Sequence, residues 1–546
     1  MASIKLSITH RATLVRKYAP AALAKIDKAV ADWVAADKAR GITTVHVALD
    51  DAPAMRKLGV PAVAGKLTPL RAKRALDALA RGLAPDYIVL FGGHDVVPNF
   101  VVPNPSLDAA TGDDDPDVPT DNPYACSRAY RARARESYLV PDRVVGRVPD
   151  VPCADGQGDA AWLVAALRTA TAWTPRAREF YADAYATCCD AWRKAGEATV
   201  RYLGIPLADL MIAPPEIDGA ALSRRRLARP LHVTKCHGAL LDARYSGQKG
   251  RSFPDILSSA SLRAHAKPAT LAAAMCCYGA QVFAPDDPRN NTPGQWPIAL
   301  AYLRGGAPGF MGATRIAWVG VSAMMCADWI VAGYLKKCLE GASLGRAMLE
   351  SKQDYLQFLQ GQGQRPDTAD EKTMIEFVLL GDPSIHPVKS AATPMRTPAT
   401  RGTAAAARGG VELQRAERRA ARRELGAAVT RRLPVRSAAP APAAAKARQL
   451  YAAALRWLGT KGVPGLAGVA PSVSRLSERH ATAPARAAAG KARSAVAAGA
   501  VPSVAGKTTE YRWTRVTRVN GVPEGQMLTM QVDAEGRILR SRLLAC

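Results

Sequence analysis

Long apolar runs are missing from this 546-residue chain: nothing sustains the roughly 18 apolar residues that a membrane helix needs. The start, MASIKLSITHRATLVRKYAP, has no apolar stretch of signal-peptide length either, so a cytoplasmic location and no transmembrane segment are expected. No Cys-x-x-Cys pair is matched by a second Cys or His pair, which argues against a zinc site, and no metal is expected. Gly92-Gly93-His94-Asp95 lacks both GxxxxGK[ST] and GxGxxG, so it reads as a strand-end turn, and no cofactor is expected. A repeat of roughly 20 to 50 residues is absent as well, which excludes a solenoid.

Acidic residues are scarce. Against 74 Lys and Arg stand 47 Asp and Glu, a net charge of +27. The imbalance is local: after Ser390 there are 27 Lys and Arg but 8 Asp and Glu, so this tail supplies +19. A polyanion or regulatory partner is expected there, with a solvated linker as the plainer reading. Ten cysteines are present, yet the adjacent pairs Cys188-Cys189 and Cys276-Cys277 do not form a disulfide framework.

From residue 21 helical and strand patterns alternate, which predicts an α/β fold with a mostly parallel sheet. Ala21 to Asp37 has helical spacing and Ile42 to Leu49 is β-branched. Thr68-Pro69 is an N-cap followed by proline at the first helical position, opening a helix to about Leu83. Tyr87 to Phe91 is a buried strand, Asp108 to Asn122 a loop, and Arg143 to Arg147 a strand. Helices are expected over Asp159 to Trp173 and Pro175 to Tyr202, completing one unit by about residue 205.

A second unit follows. Strands lead into His237 and Cys276, a helix spans about Pro297 to Arg304, a strand Gly309 to Gly312, and a helix Ser322 to Leu339. Gly381-Asp382-Pro383-Ser384 closes the unit as a turn. Past Ser390 the chain is rich in Ala, Arg and Pro, with helical segments at Val411 to Leu425 and Ala445 to Leu458 and a Pro/Ala linker at Ser437 to Ala444. Residues 484 to 505 are low-complexity, and the last forty residues predict a small β-hairpin unit. The expected divisions are therefore 1–205, 206–390, a basic linker 391–505 and a β-rich unit 506–546.

The chemistry-bearing residues stand at two strand ends. Leu231 to Cys236 runs into His237-Gly238, and Leu271 to Met275 into Cys276-Cys277-Tyr278-Gly279. A thiol attacks a carbonyl as thiolate or beside a base, and the departing amine needs a proton, so one Cys and one His must meet over one bond. In a parallel sheet both would lie beyond the carboxyl ends of their strands if the strands are neighbours. The N–H groups of Gly238 and Cys276 are candidate oxyanion donors. Spacing alone does not choose between Cys276 and Cys277, and buried cysteine is a common core residue. His265 lies in a helical pattern without a following glycine, and His386 reads as a turn residue.

Together with these ends, other motifs carry a resemblance: Pro85 to Gly93 with Val97-Pro98, Asp121 with Tyr124, Val144 to Pro149, Gly305 to Arg315, Ser343 to Ala347, and Gly381 to Ser384. Over about residues 40 to 388 the chain resembles the gingipain-like family of caspase-fold cysteine peptidases. The resemblance implies two caspase-like, flavodoxin-like subdomains side by side, the first without a catalytic dyad and the second with it. It implies a cysteine endopeptidase, a regulated intracellular enzyme acting on protein or peptide substrates through an acyl-enzyme. By the family's Cys-x-x-Gly, Cys276 is the nucleophile and His237 its partner; Cys277 fits the shorter Cys-x-Gly of caspases and is the alternative. Cys236 replaces the usual residue before His-Gly.

A substrate pocket for Arg or Lys needs a buried carboxylate, for which Asp121 and Asp242 are the candidates, with Asp286 and Asp287 behind them. A pocket for an acidic side chain needs Arg244 or Arg315. The competing reading from another class is a catalytically silent caspase-like scaffold whose basic tail binds nucleic acid or a protein partner.

Overall fold

The computed structural model describes residues 3–108, 112–217, 224–362, 364–389, 423, 435–460, 463, 466–477, 508–519 and 522–546. Its centre is one ten-stranded sheet. The strand order is Ile42–Ala48, Ser3–Thr9, Tyr87–Phe91, Val145–Val148, Phe377–Gly381, Gly309–Ala313, Leu271–Met275, Leu231–Lys235, Ala184–Cys189, Leu210–Ala213. All neighbours run parallel except Phe377–Gly381 and Gly309–Ala313, which are antiparallel. That single antiparallel seam divides the sheet into two five-stranded halves.

The seam is tight for a reason written in glycine. Gly309 pairs with Gly381, and a Cβ on Gly381, whose φ is +136°, would lie 2.8 Å from the Gly309 Cα. The turn that follows is fastened to the strand Ser3–Thr9 and the helix Pro20–Ala39. Asp382 accepts from the Ser384 N–H at 2.9 Å, from Lys5 Nζ at 2.7 Å and from Trp33 Nε1 at 2.9 Å, all of them buried.

Helices form where the sequence places their signals. Thr68 accepts from the Arg71 N–H and Pro69 occupies the first turn of Pro69–Leu83. Pro297 precedes Ile298–Arg304, and Ala444–Leu458 lies where a tail helix is expected. Central strands such as Tyr87–Phe91 and Leu271–Met275 are buried at every position, as a sheet covered on both faces requires.

Several expectations change. Pro175 to Tyr202 is not one helix: Arg178–Tyr181 is a single 3-10 turn, Ala184–Cys189 a central strand, and only Arg193–Leu203 is helical. All six residues of that strand are buried, so no alternation marks it, and a continuous apolar run reads equally as buried helix. The strand and its neighbour Leu210–Ala213 join the half that carries His237, so the crossover between halves falls between Val148 and Ala184. The loop expected over 108–122 contains the strand Asp117–Thr120, paired with Phe100–Pro103. The helix expected from Ser322 begins at Ala327, and the linker expected from Ser437 is partly the strand Val435–Ala439.

The C-terminal unit is larger than a hairpin. A six-stranded antiparallel sheet runs Val319–Gly320, Ile538–Ala545, Val522–Val532, Thr508–Val519, Ser472–Ser477, Val435–Ala439. Its first strand comes from the sheet half that bears the cysteines. Two arginines of its strand Ile538–Ala545 are buried. Arg542 pairs with Asp370 at 2.7 Å and with Asp367, and Arg540 meets Asp370 at 3.0 Å. Burial alone would raise the Asp370 carboxyl; Arg540 and Arg542 more than reverse this and hold it well below the usual carboxylate range. The expected basic helix Val411 to Leu425 and the low-complexity stretch 484–505 lie outside the described residues, apart from residue 423.

Candidate active site

The two strands that carry the site are immediate parallel neighbours in register, from Leu231↔Leu271 to Lys235↔Met275. Beyond them the chains diverge. Cys236 still donates its N–H to the Met275 carbonyl at 3.4 Å, whereas His237-Gly238 turns away to pair antiparallel with Tyr245-Ser246. Carried past the strand ends, the register sets Cys276 beside Cys236 and Cys277 level with His237. The surroundings of the two thiols then differ sharply.

The Cys276 sulfur is lodged between two glycines. A Cβ on Gly279 would come within 3.0 Å of it and one on Gly238 within 3.5 Å, and the latter would also collide with the Cys277 carbonyl. The glycines expected to clear room for a substrate thus first make room for the sulfur. Cys236 and Tyr245 share its environment: burial, then a hydrogen bond to Cys276 and its charge, push the Cys236 thiol well above its ordinary range. Burial followed by the Cys276 charge raises the Tyr245 phenol likewise, and its hydroxyl donates to the Gly279 carbonyl at 3.1 Å.

Cys277 belongs to a separate apolar cluster with Ile316, Trp318, Cys326, Met527, Leu544 and Cys546. Its sulfur accepts from the Ala317 N–H at 3.3 Å. Burial, with Cys546 next, drives its pKa well above the ordinary thiol value, which keeps it protonated and weakly nucleophilic at neutral pH.

His237 is flanked by the rings of Trp192 at 4.5 Å and Phe253 at 5.2 Å, and its Nε2 lies 3.0 Å from Gln248 Oε1. With that amide oxygen accepting, Nε2 carries the proton and Nδ1 the basic lone pair. His237 and Cys276 are each 2 % exposed, so a molecule can reach them only if this end of the sheet opens.

Gln281 fastens the two loops together. Its Oε1 accepts from the Leu241 N–H at 2.7 Å, and its Nε2 donates to the carbonyls of Ala239 at 2.8 Å and Asp242 at 3.2 Å. One amide thereby ties the segment after Cys276 to the segment after His237. Gln248, Gln281, Trp192 and Phe253 were not among the residues singled out in the sequence, because lone amides and aromatics carry no spacing signature.

Three of the four carboxylates considered for a substrate pocket, Asp121, Asp242 and Asp287, are already paired. Asp121 receives Arg147 Nε at 2.9 Å and Nη2 at 2.6 Å, and Asp242 receives Arg244 Nε at 3.0 Å and Nη2 at 2.9 Å. Asp287 binds Arg289 on the surface. Arg315 reaches Asp117 at 2.8 Å, and Arg244 also reaches Asp255 at 3.1 Å. His265 ends the helix Ser259–His265, and His386 Nδ1 lies 2.8 Å from the Gly341 carbonyl. Among the described residues no group of three or more His, Cys, Asp or Glu is arranged to hold a metal ion, and no helix is long and apolar enough to cross a membrane.

Comparison with known proteins meets this geometry at the cysteine strand. No curated protein matches the chain. A solved structure titled "Structure of Protease" aligns over 100% of this chain and 97% of its own, with 11% sequence identity and a TM-score of 0.47. Residues 244–388 match the model of Peptidase family C25, a stretch that contains Cys276, Cys277 and Gln281 and begins just after His237. Residues 244–388 are therefore similar to the gingipain family of caspase-like cysteine peptidases.

Proposed function

We propose that the chain is a regulated intracellular cysteine endopeptidase in which Cys276 is the nucleophile and His237 the proton carrier, both in a catalytic unit that follows a non-catalytic one. The observation that carries this reading is the pairing of the two strands. In-register parallel neighbours deliver a histidine and a thiol to the same sheet end, each followed by a glycine packed around the Cys276 sulfur.

The chemistry needs few groups. His237 Nδ1 takes the Cys276 proton, the thiolate adds to the scissile carbonyl, and the N–H groups of Gly238 and Cys276 stabilise the oxyanion. Collapse expels the amine, which receives the proton from His237, and water then cleaves the thioester. In the resting molecule the ring turns to Trp192 and Phe253 while the sulfur sits with Cys236 and Tyr245. The groups converge when substrate parts the loops, as catalytic contacts commonly tighten only in the complex. This closed resting state suits a peptidase that must be restrained until it is needed.

Cys276 is favoured over Cys277 by surroundings, since Cys277 is held in an apolar cluster that keeps its thiol protonated. The test is hydrolysis of a mixed fluorogenic peptide library by the wild type, Cys276→Ala, Cys277→Ala and His237→Ala. Turnover lost in the first and third variants and kept in the second is expected. Turnover lost only in Cys277→Ala would reassign the nucleophile, and a wild type without turnover would favour the silent scaffold.

A further inference from the structure

A cleft of about 410 Å³ opens beside these loops. Leu240 and Leu241, which follow His237-Gly238, form one part of its wall, and Val282, which follows the cysteine loop, forms another. Four charged side chains also reach it: Asp121, Arg147, Asp150 and Arg315.

None of the four is left to face a substrate charge. Arg147 occupies both oxygens of Asp121, and its Nη1 donates to the carbonyls of Gly92 at 3.1 Å, Gly93 at 3.2 Å and Val97 at 2.7 Å. Asp150 accepts from the Gly93 N–H and the Tyr18 hydroxyl and pairs with Lys17 at 2.9 Å. Arg315 is held by Asp117 through the carboxylate at 2.8 Å and the carbonyl at 3.0 Å. Each of these charges already has a partner within the protein, and a substrate charge entering the cleft would lose its water without gaining one of its own. One neutral acceptor remains: the oxygen of Asn99, a lining residue, is buried with no hydrogen-bond partner.

We propose that this cleft receives the substrate side chain next to the scissile bond and selects an uncharged, mainly apolar one over arginine, lysine or acidic residues. The inference rests on the peptidase reading above. Leu241 also shows how the preference can be switched. Its φ of +51° is a left-handed conformation that aspartate tolerates better than leucine, so Leu241→Asp places a carboxylate in the wall without new backbone strain.

The experiment measures labelling rates of the full chain with peptidyl acyloxymethyl ketones that carry leucine, arginine or aspartate at that position. On the wild type the leucine probe should react at least about tenfold faster than the other two. Leu241→Asp should shift the arginine-to-leucine ratio upward by about tenfold, with Val282→Asp as a second variant should the first not fold. An arginine or aspartate probe that reacts fastest with the wild type overturns the pocket inference and leaves the peptidase reading standing. A natively folded wild type that no probe labels overturns both.

Discussion

The two halves of the central sheet each end a buried strand in a glycine- and histidine-bearing loop, and they treat those loops in opposite ways. After Tyr87–Phe91 the loop Gly92-Gly93-His94-Asp95 is bound by ionised groups: Arg147 holds its carbonyls, Asp150 its N–H, and Lys17 pairs with both Asp95 and Asp150. After Leu231–Lys235 the side chains against His237 and Cys276 are a thiol, a phenol, aromatic rings and an amide, and the Asp242–Arg244 ion pair lies further along the loop. The ion pairs around the first loop fix it against the sheet. On the proposed reading, the more weakly bonded groups exchange partners and protons when substrate arrives, and the same architecture yields a supporting half and a reactive one.

The largest expected effect tests the reactive half. Cys276→Ala and His237→Ala should each lower peptide turnover by at least about 10³-fold, whereas His46→Ala in the supporting half should leave it within about twofold; steady-state hydrolysis reads both. Comparable losses from His46→Ala would erase the distinction. The supporting half should instead respond in stability. Arg147→Met strands Asp121 next to a buried guanidinium site, and a loss of about 3–5 kcal/mol in denaturant unfolding is expected.

A smaller effect sharpens the loop contrast. Gln281→Ala removes the clip between the segments after Cys276 and His237, and kcat should fall about tenfold through poorer positioning. As Gln281 spaces backbone groups and touches no reacting atom, Gln281→Glu should recover less than half of the loss, since a carboxylate cannot donate to the carbonyls of Ala239 and Asp242. The KM-against-kcat split separates this from a change in binding alone.

The smallest concerns Glu376, fully buried behind the junction strand with neither carboxyl oxygen hydrogen-bonded. Burial raises its pKa well above the ordinary value, so the folded state holds a proton that the unfolded chain releases. Its contribution is intact below the unfolded pKa and declines as pH rises toward the folded one. Glu376→Gln should therefore raise the thermal midpoint by a few degrees at pH 8 and by less at pH 5. Equal shifts at both would show that the carboxyl is not protonated in the fold.

How much of this could be read from residues alone depended on whether a local signal existed. The Thr68-Pro69 cap, the strands into His237 and Cys276 and the turn at Gly381 carry their chemistry within a few residues, and each lies where expected. Ala184–Cys189 is buried on both faces and shows no period, so helical spacing was read over it. The six-stranded C-terminal sheet joins segments as distant as Val319 and Ala545, a pairing no local pattern encodes. In the candidate site, His237 and the two thiols drew notice because each stands at a strand end with a glycine close behind it. Gln248 and Gln281 act through where their amides end up, and the pairing of Asp121 with Arg147 depends on a contact across 26 residues.

The most direct test of the Cys276–His237 assignment is the site of the covalent adduct formed with a leucine acyloxymethyl ketone, located by fragment mass spectrometry across Ala274 to Gly279. The account predicts modification of Cys276 in the wild type and its near disappearance in His237→Ala. An adduct on Cys277, or an adduct on Cys276 that forms equally fast without His237, would contradict it.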